Sequence, residues 1–272
     1  MRYCRFLLDG HIEYGVVEER GGELWITGPA PAPEEDLRFR LAQGQNAGKV
    51  HGFEPMRLSA AALLPPVTPS KIICVGRNYR EHAKELGNEI PSEPLLFFKP
   101  PSSLLNPGGV VRLPGASTRV DFEGELALVI GRRAHKLRPD ADWREVVRGV
   151  TLANDISARD LQKKDVQWAR AKGFDTFCPV GPLVSDELDP VAGVTIETRV
   201  NGELRQQGST TDFIFSIPAL LSFITAAFTL EPGDVILTGT PSGVGALKAG
   251  DRVEVSIAGL GVLENPVKNE AE

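Results

Sequence analysis

The sequence predicts an α+β, strand-rich fold: a small β-rich unit over residues 1–65, then a larger unit over residues 66–272. Three observations carry this prediction. Short apolar or alternating runs recur along the whole chain. Segments that read as helices are few and do not alternate regularly with the strands, which excludes a βα-repeat. Turn residues break the chain at short intervals, with hairpin signals at Gly21-Gly22 and at Asn201-Gly202.

The elements follow in order. Residues 1–28 alternate as strands, and residues 13–27 form two β-type runs around Arg20-Gly21-Gly22. Residues 28–55 are rich in Pro, Gly and charge and read as loop. Pro65, Pro66 and Pro69 then mark the boundary between the two units. Residues 71–76 are a short buried strand, and residues 77–87 a helical segment stopped by Gly87. Residues 93–100 and 108–114 are β segments between prolines, and residues 123–131 are a strand. Residues 142–150 read as a short helix with Asp142 as its cap. Residues 194–208 alternate around Asn201-Gly202 as a hairpin, and residues 216–228 form an apolar helix with Pro218 near its start. Residues 234–239 and 251–267 return to strands.

Bulk properties narrow the function. With 30 Lys+Arg against 36 Asp+Glu, the net charge of −6 and the lack of a basic run argue against nucleic acid as a partner. Cys4, Cys74 and Cys178 are odd in number and widely spaced, which fits neither a disulfide framework nor a cysteine-rich zinc site. They read as reduced, buried thiols of a cytoplasmic protein. The amino terminus lacks the apolar stretch of a signal peptide, and no run reaches membrane-spanning length, so no membrane partner is expected.

Charges inside apolar patterns point to chemistry. Glu123 and Glu125 stand two apart at the start of a strand and therefore share a face. Gly124 between them leaves the other side bare, where another backbone can approach. Two ionised carboxylates held together repel unless a positive charge sits between them, and Mg²⁺ or Mn²⁺ prefers such oxygen ligands. Taken alone, the pair reads more readily as a strand start, solvated or paired to Arg112 or Arg119. Asp155 falls where a second apolar strand ends. It shares a face with Arg159 and Gln162 if that segment is helical, although an N-capping role fits it as well. His82 and Glu85, three apart on a helical segment, form either a general-base dyad or an ordinary solvated pair. Lys172 reads as a candidate for steadying an enolate or carboxylate, or as a surface lysine. The glycine-rich turn at residues 237–245 lacks the Gly-Lys-Ser/Thr of a P-loop but can offer N–H groups and the Thr240 hydroxyl to an anion.

Eight segments, taken in order, resemble the fumarylacetoacetate hydrolase (FAH) family: VGRNYREHAKELG (75–87), PLLFFKPPSSL (94–104), VDFEGELALVIG (120–131), TLANDISARDLQ (151–162), KGFDTFCPVGP (172–182), TRVNGELRQQGST (198–210), IFSIPALLSFI (214–224) and LEPGDVILTGTPSGVG (230–245). The likeness runs from about Lys71 to Pro266, and the N-terminal unit is similar to the small appended domain of bacterial 2-hydroxyhepta-2,4-diene-1,7-dioate isomerases. The resemblance implies an FAH-type fold with rolled mixed β-sheets, and a homodimer. It implies that Glu123, Glu125 and Asp155 bind one Mg²⁺ or Mn²⁺, and that His82 and Glu85 form a dyad on a mobile segment that closes over substrate. Lys172 joins the dyad as a catalytic group, and Arg159, Gln162 and Thr240 line the substrate site.

The implied substrates are small 2-oxo acids, and the implied reaction is isomerisation of a 2-hydroxydienedioate or hydrolysis of an acylpyruvate C–C bond, through an enolate that the metal stabilises as a Lewis acid. Oxaloacetate decarboxylation is the alternative for the same site. Residues 86–94 are expected to act as hinge or flap. Two other classes compete: a binding protein that keeps the fold without turnover, and a glycosidase-like use of paired acids, which calls for a sugar cleft rich in aromatics.

Overall fold

Residues 124–130 are apolar at nearly every position, as a strand covered on both faces requires. In the computed structural model, which describes residues 1–36, 54–85, 87 and 89–270, strand Gly124–Ile130 is buried along its whole length. Leu126, Leu128 and Ile130 enter one apolar cluster, and Ala127 and Val129 enter another on the opposite face. The strand lies inside a 12-stranded mixed sheet. On one side it pairs antiparallel with Val235–Leu237. That strand pairs parallel with Ile72–Gly76, which pairs antiparallel with Leu95–Lys99. On the other side lie Val147–Asn154 and then Cys178–Ser185, both antiparallel.

Cys178–Ser185 also pairs with Arg2–Leu8, and from there the sheet continues through His11–Arg20, Glu23–Pro29 and Met56–Arg57. The strands of residues 1–65 therefore extend the large sheet, and Cys4 and Phe6 share a cluster with Leu126. The division at residue 65 is retained as a proposal about chain organisation; the sheet itself runs across it.

One face of the large sheet is covered by helix Ile217–Ala227, whose Ile217, Leu220, Leu221 and Ile224 fall at the spacing of one helical stripe and join the same cluster. It is also covered by a five-stranded sheet formed by Val111–Leu113, Thr195–Val200, Glu203–Ser209, Arg252–Ile257 and Gly261–Asn269. Ile196, Val255, Ile257 and Leu263 from this sheet complete the cluster. A third sheet, of three short strands, orders Ser157–Ala158, Val120–Phe122 and Gly245–Ala246. The result is the strand-rich α+β architecture expected. Among the described residues, no helix is long and apolar enough to cross a membrane. The three cysteines are free and buried.

Both hairpins form, with Gly21 and Gly22 and then Asn201 and Gly202 at positive φ in their turns. Two readings change. Residues 142–150 are not a helix: a single turn, Trp143–Glu145, is capped by Asp142, which accepts from the Arg144 N–H at 3.0 Å, and strand Val147–Asn154 follows at once. Gly149 is needed there by the neighbouring strand, because a Cβ would lie 2.5 Å from the Ser185 carbonyl oxygen. In the predicted loop, residues 34–36 start a helical turn. Residues 37–53 of that loop, together with Leu86 and Asn88 of the predicted flap, lie outside the described residues.

Candidate functional site

Two chain segments pass between the large sheet and the small one at the same place. Val120–Phe122 belongs to the three-stranded sheet and Gly124–Ile130 to the large one, so Glu123 is the residue at the corner. Val147–Asn154 and Ser157–Ala158 repeat the move, and Asp155 lies at that corner. Antiparallel pairing on both sides holds the corners together: Gly124 faces Asn154 in the large sheet and Asp121 faces Ser157 in the small one. The Asp155 N–H donates to the Glu123 carbonyl at 2.8 Å, and the Glu123 N–H to the Asn154 side-chain oxygen at 2.9 Å.

Carboxylate oxygens of Glu123, Glu125 and Asp155 converge within 4.8 Å of one another, and all three residues are buried. Gly124 makes this possible. A Cβ there would lie 2.0 Å from Thr198 Oγ1, so the glycine admits a side chain of the second sheet rather than the backbone expected from sequence.

Fixed cations surround the acids. Lys172 donates to Glu123 Oε2 and Asp155 Oδ2, both at 2.7 Å, and Lys99 donates to Asp155 Oδ1 at 2.6 Å. Arg159 donates to Glu123 and, at 2.9 Å each, to Asp121 and the Gln162 side-chain oxygen. Glu125 differs: it accepts the Gly239 N–H at 2.6 Å, and no side-chain cation bonds it among the described residues. The difference shows in their protonation. Burial would push Glu123 up, but Arg159, Lys172 and His82 outweigh it and hold the carboxyl well below the usual range. Burial, Asp155 and Glu123 together push Glu125 well above that range. Lys172 is raised despite its burial, because Asp155 and Glu123 favour its charged form.

This donor set fits a hard divalent cation. Two oxygens on one octahedral Mg²⁺ lie at most about 4.2 Å apart, the three ligand oxygens here lie within 4.8 Å of one another, and Glu125 is the carboxylate that no side-chain cation bonds among the described residues.

His82 and Glu85 stand on helix Arg80–Glu85, with His82 Nδ1 3.1 Å from Glu85 Oε2. Glu85 is anchored through its other oxygen by the Gly243 N–H at 2.9 Å. His82 is buried, and it lines the same cavity as the three acids, a space of about 260 Å³. Arg159, Gln162, Lys172 and Thr240 line it too. Every site residue named from sequence except Glu85 therefore reaches one cavity wall, and Glu85 reaches it through His82.

Some details differ from expectation. Asp155 is not on a helical face with Arg159 and Gln162, because helix Arg159–Lys164 starts only after the corner and the two-residue strand. Arg159 and Gln162 do share that helix and bond each other. The Thr240 hydroxyl is tied to the scaffold: it donates to the Gly124 carbonyl and accepts from Gln206, both at 2.8 Å.

Sequence reasoning missed Lys99, Asp121, Asn154 and Gln206. Lys99 carried the clearest signal, a lysine closing an apolar run just before two prolines, and it is almost fully buried.

Residues 71–268 match the family described as fumarylacetoacetate (FAA) hydrolase, C-terminal. The chain is 43% identical over 224 residues to oxaloacetate tautomerase YisK of Bacillus subtilis, covering 77% of this chain and 74% of that one. It is 45% identical over 201 residues to the mitochondrial oxaloacetate decarboxylase of Dictyostelium discoideum, covering 71% of this chain and 91% of that one. A solved 2-hydroxyhepta-2,4-diene-1,7-dioate isomerase from Mycobacterium marinum superposes with a TM-score of 0.84 at 36% identity, covering both chains in full (100% of each). The chain belongs to the fumarylacetoacetate hydrolase family.

Proposed function

We propose that this chain is a divalent-metal-dependent enzyme that moves a proton on small 2-oxo acids, at the carbon next to the 2-oxo group. One observation carries the reading: a buried three-carboxylate cluster and a His–Glu dyad share a single cavity of about 260 Å³. Tautomerisation of oxaloacetate is this step; isomerisation of a 2-hydroxydienedioate uses it, or its vinylogue at C5 of the diene. The names of the similar proteins, an oxaloacetate tautomerase and a dienedioate isomerase, support it.

Glu123, Glu125 and Asp155 are assigned to the metal. Mg²⁺ or Mn²⁺ bound there supplies positive charge that polarises the 2-oxo oxygen. The remaining work falls to the chain. Lys172 and Arg159 add fixed charge beside that oxygen, where negative charge grows as the proton leaves. His82 takes the proton on its free Nε2, since Nδ1 faces Glu85, which keeps the ring oriented. Glu85 cannot drift, because the Gly243 N–H holds it. Gln162 presents its amide beside Arg159 to position the acid.

A second reading, C–C cleavage or decarboxylation, uses the same site. The similar oxaloacetate decarboxylase favours loss of CO₂, and hydrolysis of an acylpyruvate would require His82 to activate water instead. A homodimer in the cytoplasm belongs to this proposal, with sedimentation as the check on assembly state.

The test is a turnover panel of oxaloacetate, acetylpyruvate, fumarylpyruvate and a 2-hydroxydienedioate. Activity should vanish with chelator and return with Mg²⁺ or Mn²⁺. Activity that persists without metal refutes the proposed role of the three acids.

A further inference from the structure

Four cationic side chains line the cavity: Arg77, Arg159, Lys163 and Lys172. Arg159 and Lys172 are committed to the acids. Arg77 and Lys163 make no ion pair and no side-chain hydrogen bond among the described residues. A half-buried guanidinium without a partner at the wall of a substrate cavity is a recognition group in waiting, because Arg matches a carboxylate with two parallel hydrogen bonds.

The backbone makes the same point independently. Arg77 has φ +56°, the left-handed conformation that costs a non-glycine residue energy. The next residue enforces it. Asn78 is fully buried, donates to the Thr238 carbonyl at 2.8 Å and the Phe215 carbonyl at 3.3 Å, and accepts from the Phe215 N–H at 2.8 Å. Its own carbonyl accepts the Ile214 N–H at 2.7 Å. Gly239 closes against it, since a Cβ there would lie 2.8 Å from the Asn78 Cβ. A glycine would relieve the conformation at position 77, yet an arginine stands there.

We propose that Arg77, supported by Lys163, receives a carboxylate at the end of the substrate remote from the 2-oxo group, so that the site selects 2-oxo dicarboxylic acids over monocarboxylic ones. This rests on the 2-oxo acid reading above and deepens it. Arg77 is a specificity residue: it holds the distal charge while the metal-side acids and His82 act at the other end.

The test compares wild type with Arg77→Gly and Arg77→Lys on oxaloacetate, which has a distal carboxylate, and acetylpyruvate, which has a neutral ketone there. Arg77→Gly should raise KM for oxaloacetate at least about tenfold, leave KM for acetylpyruvate within about twofold, and melt no lower than wild type. Arg77→Lys should recover part of the oxaloacetate affinity. An equal loss on both substrates, or a lowered melting temperature in Arg77→Gly, would make Arg77 a structural residue and overturn the inference.

Calorimetric titration of the same two compounds into Mg²⁺-loaded protein separates this inference from the reading beneath it. If the ratio of the two Kd values is the same in wild type and Arg77→Gly, the distal subsite is wrong even where wild type turns over. If the ratio shifts while wild type turns over neither compound, the reaction is misassigned and the subsite stands.

Discussion

Replacing Gly124 with alanine puts one methyl group between the two glutamates of the candidate metal site. Its Cβ would lie 2.0 Å from Thr198 Oγ1 and 3.2 Å from both Val255 methyls, where ordinary contact begins at 3.4 Å. Corner and second sheet must then separate by about 1.4 Å, far beyond what packed side chains yield without strain. Strain of this kind costs about 1–3 kcal/mol. Movement also stretches the Gly124 N–H bond to Gln206 (3.0 Å) and the Thr240 bond to the Gly124 carbonyl (2.8 Å), each contributing about 1 kcal/mol. Urea unfolding should therefore show a loss of about 3–5 kcal/mol. Because Glu123 and Glu125 move with the corner, turnover should fall on the order of 100-fold, the usual cost of about 1 Å of misplacement. Thr198→Ala supplies the control. Its hydroxyl is buried without a hydrogen-bond partner among the described residues, so the single change should be close to neutral, and in the Gly124→Ala background it should recover at least about 1 kcal/mol. If Gly124→Ala keeps wild-type stability and Mg²⁺ affinity, close approach at the corner is not what shapes the site.

Three further outcomes are expected. Glu125→Gln keeps an oxygen for the Gly239 N–H, so the protein should fold while calorimetry shows Mg²⁺ affinity lowered at least about tenfold; unchanged affinity removes Glu125 from the donor set. His82→Ala should cut turnover by about 10²–10⁴ with little effect on Mg²⁺ affinity, whereas equal loss of both would make the histidine a ligand or a structural group. Without metal, the raised Glu125 carboxyl contributes stability below the ordinary carboxylate range and loses it as pH rises, while the depressed Glu123 carboxyl behaves oppositely and loses its contribution as pH falls. The melting-temperature gap between Mg²⁺-loaded and Mg²⁺-free protein should thus widen as pH rises above about 4, the ordinary carboxylate value, and a constant gap would contradict this electrostatic assignment.

How far the site could be read from the sequence depends on how far apart its partners stand in the chain. Glu123 and Glu125 were visible because a two-residue period before an apolar run is a local signal. His82 with Glu85, and Arg159 with Gln162, were visible for the same reason, as helical neighbours. Asp155 was found at its strand end, but its surroundings were misread, since the turn from one sheet into another leaves no periodicity to follow. Lys99 and Gln206 were missed because their roles are set by partners 56 and 34 residues away, Asp155 and Thr240. The fold shows the same divide. Both hairpins and the Ile217–Ala227 helix follow from local patterns, whereas the pairing of Arg2–Leu8 with Cys178–Ser185 has no local cause. The helix expected at residues 142–150 lost to tertiary context, because two adjoining strands claim Val147–Asn154.

The position of the site in the sheet also sets an order in time. Gly124–Ile130 and Val147–Asn154 form one antiparallel pair from neighbouring stretches of chain, but both outer edges of that pair are closed by later segments, Cys178–Ser185 and Val235–Leu237. The Gly239 N–H that holds Glu125 and the Thr240 hydroxyl that holds Gly124 arrive with the last of these. Pairings so distant in sequence form slowly, and until they do the central strands present unpaired edges. If the corner holds the cation proposed for it, the backing that fixes Glu125 and Gly124 is complete only once the carboxyl-terminal strands dock. Metal uptake at the proposed site would then be a clock for folding: its appearance during refolding would date the closing of the sheet.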